Sequence, residues 1–543
     1  PSLVGSEMCI RDRYILNTKD PVMTETPNYH ETEEYRARVK KLREITACGI
    51  DPYPATSPNF SPISTIQETY LQKDPGDSEA AMNQATPTAS ISGRLLLFRP
   101  MGKNIFGQIE DATGSLQIML SRDITSLTGY SSSELTPFKF IEKKCDLGDF
   151  LSVSGHLFRT KRGELTLLGT RVTLLCKALL PLPDKHAGLT DKGIRYKKRW
   201  LDLIDHSDVR KTFQLRSKII RIIRNFFDKN QFIEVETPVL QNIYGGAAAK
   251  PFVTQLHSMD QEMFLRISLE IPLKKLIIGG MEKIFEIGKV FRNEGIDRTH
   301  NPEFTMLEAY AAYWDYFAVM DFIEQIYSTI ALELMGKTTI GPFTIDGKEV
   351  EIDLKTPWKR LTMQESIRVY GKIDVEALSE SDMRALLQKT AINKKKLQNA
   401  PRGLLISYLF EEFVEKHLIQ PHHIYDHPIE TTPLCKPHRN RELREKGLVE
   451  RFETFILGVE CCNAYSELND PLLQRELLEK QVALQQAGDE EAHPLDEEFL
   501  EALCQGMPPT GGFGIGIDRL VMLFTKCHSI RDVLFFPILK SEE

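Results

Sequence analysis

The chain has 543 residues, of which 41% are hydrophobic and 27% are charged, and its formal net charge is −8 at pH 7. The length predicts two or more domains, each with its own core, and no apolar run reaches the roughly 18 residues of a membrane-spanning helix. The net charge neither indicates nor excludes a nucleic-acid partner, because a local basic patch matters more for such binding than the net charge of the chain.

The nine cysteines form no C-x-x-C pair, and Cys461 and Cys462 are adjacent. An odd, unpatterned set of cysteines indicates free thiols in a reducing compartment. We therefore predict a cytoplasmic protein with no membrane association and no metal site built on sulfur.

Residues 1–22 are predicted to be a non-native or disordered tail, because PSLVGSEMCIRDR lacks a signal-peptide layout and Met23 opens a more plausible start. Residues 23–88 are predicted to form an N-terminal helix and a linker. The helix is expected over 31–48, where acidic residues precede a basic cluster that either contacts RNA phosphates or faces solvent. The linker or flexible cover is expected over 54–88, which is rich in Pro, Ser, Thr and Gly.

Residues 89–178 consist of short β-type runs separated by turns. The runs are ISGRLLLF, FGQIED, SLQIML, FLSVSGHLF and ELTLLG. Five such strands in one short stretch predict a small barrel of the oligonucleotide-binding (OB) type. A hinge is predicted over 179–192, which includes PLPDKHAGL.

Residues 193–543 mix helices and strands without a steady βαβ rhythm, which predicts an α+β domain with an antiparallel β-sheet flanked by helices. In chain order, the predicted elements are an amphipathic helix through Phe213, Ile219, Ile220, Ile223, Phe226 and Phe227, a strand at FIEVETPVL (232–240) ended by Pro238, helices over 316–336 and 404–418, and a hairpin at Asp346-Gly347.

The segment FRNEGIDRTHNPEFTMLEAY (291–310) carries an arginine before a loop and an aromatic residue after it. A strand-loop-strand hairpin would hold Arg292 over a phosphate and stack Phe304 on a base. Core packing is the alternative for Phe304, and a structural hydrogen bond is the alternative for His300.

Two segments, RFETFIL and ECCNAYSELND (460–470), are predicted to form antiparallel strands joined by a turn at Leu457-Gly458-Val459. Side chains two apart share one face of a strand, so Asn463, Tyr465 and Glu467 are expected together. Strict alternation places Glu460 on the opposite face, so we predict a bulge or strand end that rotates it. A desolvated ammonium group needs a carboxylate partner, and such a strand pair supplies one.

The segment GGFGIGIDRLVML (511–523) repeats glycine with period two at Gly512, Gly514 and Gly516. These positions share one face of a strand and leave it bare, which lets a flat ring such as adenine approach the backbone. Arg519 then begins a helical run and is able to clamp phosphate. Tight packing of the glycines against another element is the alternative.

Six segments together resemble the class II aminoacyl-tRNA synthetases. They are FIEVETPVL, FRNEGIDRTHNPEFTMLEAY, GGFGIGIDRLVML, RYKKRWLDLI (195–204), YGGAAAKPF (244–252) and ECCNAYSELND. The last three make the match closest to the lysyl-tRNA synthetase family, including its N-terminal anticodon-binding barrel. The resemblance covers about residues 31–541 and implies an OB barrel followed by a class II catalytic core.

The resemblance also implies roles for individual side chains, with Arg292 and Arg519 as the catalytic pair. ATP binding is implied for Arg292, Glu294, His300, Phe304, Glu453, Gly516 and Arg519. Lysine binding is implied for Gly246, Glu270, Arg292, Glu308, Tyr310, Asn463, Tyr465 and Glu467. Mg²⁺ binding is implied for Glu453 and Glu460, and anticodon recognition for Arg99, Phe106, Gln117 and Glu164.

Two positions depart from the family pattern. Thr299 stands where many relatives have arginine, with Arg298 one residue earlier, and Leu269 stands where many have proline. The first departure leaves open whether Arg298 takes over the phosphate contact. The second leaves open the path of the loop that carries Glu270.

By resemblance, the chain is an ATP- and Mg²⁺-dependent homodimer that attaches L-lysine to tRNA(Lys) through lysyl-adenylate and releases AMP and diphosphate. The alternatives are a non-catalytic tRNA-binding relative, a ligase that modifies a protein lysine, and an aspartyl- or asparaginyl-type synthetase. A non-catalytic relative is expected to lack Arg292, Arg519 or the Glu453/Glu460 pair, all of which are present here. A ligase that modifies a protein lysine is expected to lack the anticodon barrel, which this sequence is predicted to have. An acidic pocket would repel aspartate.

Overall fold

The computed structural model describes residues 28–132, 134–183, 189–393, 397–398, 400–486 and 492–539. The predicted tail at 1–22 and the middle of the predicted hinge, 184–188, lie outside these ranges. Within them, no helix is both long and apolar enough to cross a membrane. The chain divides into two compact units, residues 1–188 and 189–543.

The first unit contains a closed five-stranded barrel, as predicted. Its helices are α1 (Glu33–Ala47), α2 (Ile63–Thr69), α3 (Ser78–Met82) and α4 (Pro137–Lys144), and its strands are β1 (Thr88–Met101), β2 (Asn104–Glu110), β3 (Ser115–Ser121), β4 (Ser126–Leu127), β5 (Phe150–Arg159) and β6 (Leu165–Cys176). The sheet order is β3-β2-β1-β5-β6, and β3 also pairs with β6, which closes the barrel. The two-residue β4 adds to the outer edge of β6.

The N-terminal helix is confirmed, but the predicted linker is partly wrong. Two short helices, α2 and α3, lie within it. Ile63 and Ile66 are one turn apart on α2 and fill the barrel core, and Asp111 accepts a hydrogen bond from the Ile63 amide at 2.9 Å. On α1, Arg38 donates to the Leu147 and Ala178 carbonyls, so part of the basic cluster faces the barrel rather than solvent.

The second unit is an α+β domain. Its helices are α5 (Lys192–Lys197), α6 (Arg199–Asp205), α7 (Ser207–Lys229), α8 (Glu270–Ile278), α9 (Tyr316–Met335), α10 (Met363–Ser366), α11 (Glu380–Leu387), α12 (Arg402–Phe413), α13 (Arg441–Glu445), α14 (Pro471–Gln486), α15 (Glu497–Cys504), α16 (Ile517–Thr525) and α17 (Ile530–Val533). Its strands are β7 (Ile233–Glu234), β8 (Leu240–Gln241), β9 (Val253–Leu256), β10 (Gln261–Leu265), β11 (Lys283–Phe291), β12 (Glu303–Ala312), β13 (Thr339–Ile345), β14 (Lys348–Asp353), β15 (Lys359–Thr362), β16 (His422–Pro428), β17 (Leu448–Ile456), β18 (Val459–Ser466) and β19 (Thr510–Gly516).

The main sheet has eight strands in the order β15-β16-β17-β18-β19-β12-β11-β7. The pairs from β16 to β11 are antiparallel, as predicted, and only the two edge pairs are parallel. Helices α7 and α9 bury their apolar faces on one side of this sheet, where Phe227, Ile323 and Phe513 belong to one core. The predicted hairpin is also confirmed, since Asp346 and Gly347 both have the positive φ of a tight turn between β13 and β14.

The predicted strand FIEVETPVL is wrong in its middle. Only β7 pairs with the main sheet, and β8 belongs to a separate three-stranded sheet. Thr237 leaves the ladder because its amide and hydroxyl both donate to Glu286 Oε2, at 3.0 and 2.7 Å. Pro238 follows and has no amide hydrogen with which to continue a ladder.

Asp518, at the start of α16, joins three elements that carry the site. It is buried, its Oδ1 lies 2.5 Å from Arg216 Nη1 on α7, and its Oδ2 accepts the Thr305 amide of β12 at 2.8 Å. A buried carboxylate stays ionised at low cost only when it is paired and hydrogen-bonded. This pairing therefore fixes the position of the next residue of the helix, Arg519.

The substitution Asp518→Asn should destabilise the second unit by about 3–5 kcal/mol, because it leaves the Arg216 cation buried without its partner. Urea unfolding followed by tryptophan fluorescence measures this unit alone, since Trp200, Trp314 and Trp358 all lie within it. The matched control is Asp321→Asn, whose exposed pairing with Arg360 should contribute about 0–1 kcal/mol. Equal losses in the two variants would contradict the role given to Asp518.

Candidate active site

The glycines of β19 lie between two strands of polar side chains. The register pairs Gly514 with Glu308 of β12 on one side and with Asn463 of β18 on the other. In the same way Gly512 lies between Tyr310 and Tyr465. The bare strip predicted from the period of two is therefore the floor of a cleft with two polar walls.

A cavity of about 400 Å³ lies over this strip. It brings together every site residue predicted for the second unit. These are Gly246, Glu270, Arg292, Glu294, His300, Phe304, Glu308, Tyr310, Glu453, Glu460, Asn463, Tyr465, Glu467, Gly516 and Arg519.

One end of the cavity is acidic. Glu270, Glu308 and Glu467 are all buried there. Burial, followed by the neighbouring Glu270 carboxylate, raises the pKa of Glu308 to about 7, and burial raises the pKa of Glu467 as well. Carboxylates held this way favour a cationic ligand, which would relieve the desolvation cost.

The carboxylate oxygens of these acids differ in their hydrogen bonds and ion pairs. Glu308 accepts from the Leu269 amide at 3.0 Å and from the Tyr310 hydroxyl at 3.1 Å. Neither oxygen of Glu467 has a hydrogen-bond donor among the residues that the structure describes, but Oε2 lies 2.5 Å from the Lys274 ammonium, whereas Oε1 has no such partner. Oε1 lies directly over Gly512, where even a β-carbon would overlap it.

The departure at Leu269 has a structural consequence. Its backbone amide donates the hydrogen bond to Glu308 that a proline in this position cannot make. This hydrogen bond favours the ionised carboxylate and opposes the rise in the pKa of Glu308. Glu270 is kept at the start of α8, so the acid remains in the cavity despite the changed neighbour.

Gly246 lies beside the acidic end and has a φ of 85°. A β-carbon on it would overlap Ser268 Oγ and lie 2.8 Å from the Glu270 β-carbon. The position therefore requires glycine for both conformation and space.

The other end of the cavity is basic. Burial lowers the pKa of the Arg292 guanidinium, whose centre lies 5.2 Å from the Phe304 ring centroid. Arg519 donates to the Glu460 carbonyl at 3.0 Å, and its Nη2 lies 3.2 Å from His300 Nε2. Two cationic groups at the same end of the cleft suit a phosphate chain.

The loop after Arg292 is organised by Asp297. Its carboxylate accepts from the His300 amide at 2.8 Å and lies 2.8 Å from His300 Nδ1, which turns Nε2 toward Arg519. Thr299 lines the cavity. Arg298 donates to the His528 carbonyl at 3.4 Å, outside the cavity lining, so it does not occupy the place of the missing arginine in this structure.

The predicted bulge is confirmed and explains the position of Glu460. Leu457 and Gly458, both with positive φ, form the two-residue turn between β17 and β18. The register then shifts between Thr454 and Phe455, which pair with Cys462 and Glu460 and leave Cys461 as the extra residue. Glu460 thereby shares a face with Asn463 and with Glu453, which pairs with Asn463 across the strands.

This pair of glutamates fits a hard divalent cation. Burial raises the pKa of Glu460, and the Glu453 carboxylate raises it further, so a cation between them would stabilise both charges. Within the described ranges no group of three or more His, Cys, Asp or Glu side chains is arranged for a metal ion. Phosphate oxygens and water would therefore have to complete the coordination shell.

The barrel residues lie on one surface of the first unit. Arg99 pairs with Phe106, and Phe106 pairs with Met119, two residues from Gln117, so these side chains share a face. Arg99 is exposed, Phe106 is half-buried against a small apolar cluster, and Gln117 donates to the Thr166 hydroxyl at 2.8 Å. Glu164 is exposed just before β6.

Sequence reasoning missed Lys274. The side chain is completely buried and its ammonium lies 2.5 Å from Glu270 Oε1 and 2.5 Å from Glu467 Oε2. The available signal was the spacing of four between Glu270 and Lys274 on one helix, which places both on the same face. Arg451, 2.6 Å from Glu453, was also missed.

An antiparallel sheet with an arginine-bearing hairpin beside a glycine strand that leads into an arginine-bearing helix defines a class II aminoacyl-tRNA synthetase. Residues 191–540 match the family model described as tRNA synthetases class II (D, K and N). Residues 89–175 match the model of the OB-fold nucleic acid binding domain.

Relatives that align over nearly the whole chain identify the family within this group. The lysine–tRNA ligase of Chlamydia caviae is 55% identical over 519 residues, covering 95% of this chain and 98% of the relative. Those of Methanoculleus marisnigri and Thermoanaerobacter pseudethanolicus are 44% and 42% identical, and each alignment covers at least 93% of both chains. The chain belongs to the class II tRNA synthetases of the D, K and N group, and within that group to the lysine–tRNA ligase family.

Proposed function

We propose that this chain attaches L-lysine to tRNA(Lys) in two steps. The lysine carboxylate attacks the α-phosphorus of ATP in line, diphosphate leaves, and lysyl-adenylate forms. The terminal ribose hydroxyl of the tRNA then attacks the acyl carbon, and AMP leaves. The observation that supports lysine most directly is Glu467 Oε1, a buried carboxylate oxygen without a donor among the described residues.

The substrate would lie along the glycine strip. Glu467 and Tyr310 would receive the ε-ammonium, with Glu308, Asn463 and Tyr465 around the alkyl chain. Gly246 and Glu270 would meet the α-amino group, and Arg292 the carboxylate. An aspartate side chain in this place would meet three buried acids, which is the observation against the aspartyl alternative.

ATP would occupy the basic end. Arg292 would bind the α-phosphate and Arg519 the γ-phosphate, with His300 at the outer phosphates. Phe304 would stack on adenine, with Glu294 and Gly516 beside the ring. No general base is required, because the lysine carboxylate is already a nucleophile, so positioning and charge neutralisation supply the catalysis.

Glu453 and Glu460 would hold Mg²⁺, which neutralises phosphate charge when bound. Their placement on one face by the bulge supports this assignment. Arg451 would keep Glu453 oriented through its 2.6 Å ion pair.

The barrel would read the anticodon. Phe106 would stack on a base, a contact worth about 1–3 kcal/mol, while Arg99, Gln117 and Glu164 offer donors and acceptors to base edges. The exposed position of Arg99 and Glu164 supports this assignment.

The second unit would form a two-fold homodimer through the FIEVETPVL region. Exposed Ile233, Val239 and Leu240 in that region support an apolar interface. The cysteines in the described ranges are all free thiols, which supports a cytoplasmic location.

The decisive assay is amino-acid-dependent exchange of diphosphate into ATP, run with each of the twenty amino acids. Lysine should give the highest kcat/KM by a wide margin, because loss of a buried charge pair costs about 3–5 kcal/mol, or at least about a hundredfold. Exchange that responds best to aspartate or asparagine, or to no amino acid, would contradict the proposal.

A second prediction concerns Glu467→Gln, which keeps the shape of the side chain and removes its charge. The KM for lysine should rise at least about a hundredfold and the KM for ATP change little, because only the ammonium contact is lost. Glu445→Gln, at an exposed ion pair with Arg441, is the matched control and should behave as the wild type. Equal losses for lysine and ATP would show that the pocket is misassigned.

A further inference from the structure

Lys274 lies behind the cavity, not in its lining. It follows Glu270 by one turn on α8, and none of its side chain is exposed. Its ammonium bridges Glu270 Oε1 and Glu467 Oε2, which come from elements far apart in sequence. One buried cation therefore joins two of the three acids of the lysine end.

The bridge determines which carboxylate oxygens remain available. Glu270 is satisfied on both sides, since Oε1 meets Lys274 and Oε2 accepts the Tyr465 hydroxyl at 2.6 Å. Glu308 is satisfied by Leu269 and Tyr310. Neither oxygen of Glu467 has a hydrogen bond within the described part of the chain. Its Oε2 is held by the Lys274 ammonium as an ion pair. Oε1, turned toward Gly512, is therefore the one oxygen of the three acids with neither a hydrogen bond nor a cation among the described residues.

Glu467 also needs a nearby cation to stay ionised before a substrate arrives. Glu270 and Glu308 both raise the pKa of Glu467, and Lys274 opposes them. Two uncharged rings and one neutral imidazole also lie near Lys274. The rings of Tyr465 and Phe499 lie 5.5 and 5.9 Å from its nitrogen. Burial and then Lys274 itself lower the pKa of His493 to about 4, so this imidazole is neutral.

We propose that Lys274 is a positioning residue for amino-acid recognition: its ammonium fixes Glu270 and Glu467 and leaves one Glu467 oxygen for the amine of the substrate. This inference rests on the proposed function, because it presumes that the ligand of the pocket is lysine. Lys274 itself touches neither substrate nor nucleotide.

The test compares Lys274→Met with Lys275→Met in diphosphate exchange. Met keeps the length of the side chain and removes its charge. Lys275 is the next residue of α8 and makes an ion pair with exposed Glu498, so its loss should leave lysine recognition unchanged. We expect the KM for lysine to rise about 10- to 100-fold in Lys274→Met, with the KM for ATP changed little.

A pH profile separates positioning from a merely structural role. Burial raises the pKa of Glu467 and Lys274 opposes that rise, so without the cation the pKa of Glu467 rises further and more of this acid is protonated. The KM for lysine should therefore fall more steeply with rising pH in Lys274→Met than in Lys275→Met or the wild type, because a larger share of Glu467 is protonated at a given pH when the cation is absent. A structural defect would lower the folded fraction but would not give the lysine KM this slope.

Lys274→Gln provides the second variant if the Met variant does not fold, because its amide keeps two hydrogen-bond donors but carries no charge. Either variant with a lysine KM and pH profile like those of Lys275→Met overturns the role of Lys274. Wild-type exchange that does not respond to lysine overturns the proposed function instead, so the two failures are distinguishable.

Discussion

Three buried carboxylates share one end of a single cleft, and burial makes each of them costly unless positive charge lies nearby. Lys274 supplies one positive charge, and in the proposed function the amine of the substrate supplies the next. The fold of the second unit brings these three acids together. The acids stand on β12, after β18 and at the start of α8, three segments that meet only because the glycine strand β19 lies between β12 and β18. The bare strip of β19 leaves room for the ligand beneath those walls.

The basic end depends on the same sheet. Asp518 holds α7, β12 and α16 together and thereby positions Arg519, while the bulge in β18 turns Glu460 toward Glu453. A shift of one residue in either place would move Arg519, the proposed phosphate ligand, or Glu460, the proposed metal ligand, to the wrong face. Membership in the lysine–tRNA ligase family agrees with a site that is acidic at one end and basic at the other.

The placement of many site residues could be predicted, because strand periodicity determines the face on which a side chain lies. The alternation of Asn463, Tyr465 and Glu467, and of Glu308 and Tyr310, predicted two polar walls, and the glycine period predicted the bare floor. The same reasoning identified the conflict at Glu460 and required a bulge, which the register shows. The features that were predicted wrongly or missed depend on contacts between residues far apart in the sequence. The break in FIEVETPVL follows from hydrogen bonds to Glu286. Helix α2 in the predicted linker follows from packing in the apolar barrel core. The bridge by Lys274 follows from a contact between residues 193 positions apart.

The most direct measurement is a crystal structure of the full chain with L-lysine and a non-hydrolysable ATP analogue. We expect the ε-ammonium within about 3 Å of Glu467 Oε1, the lysine carboxylate at Arg292, and Lys274 still bridging Glu270 and Glu467. Lysine bound in the reverse direction, with its carboxylate toward Glu467, or bound outside the cleft of β19, would contradict this expectation.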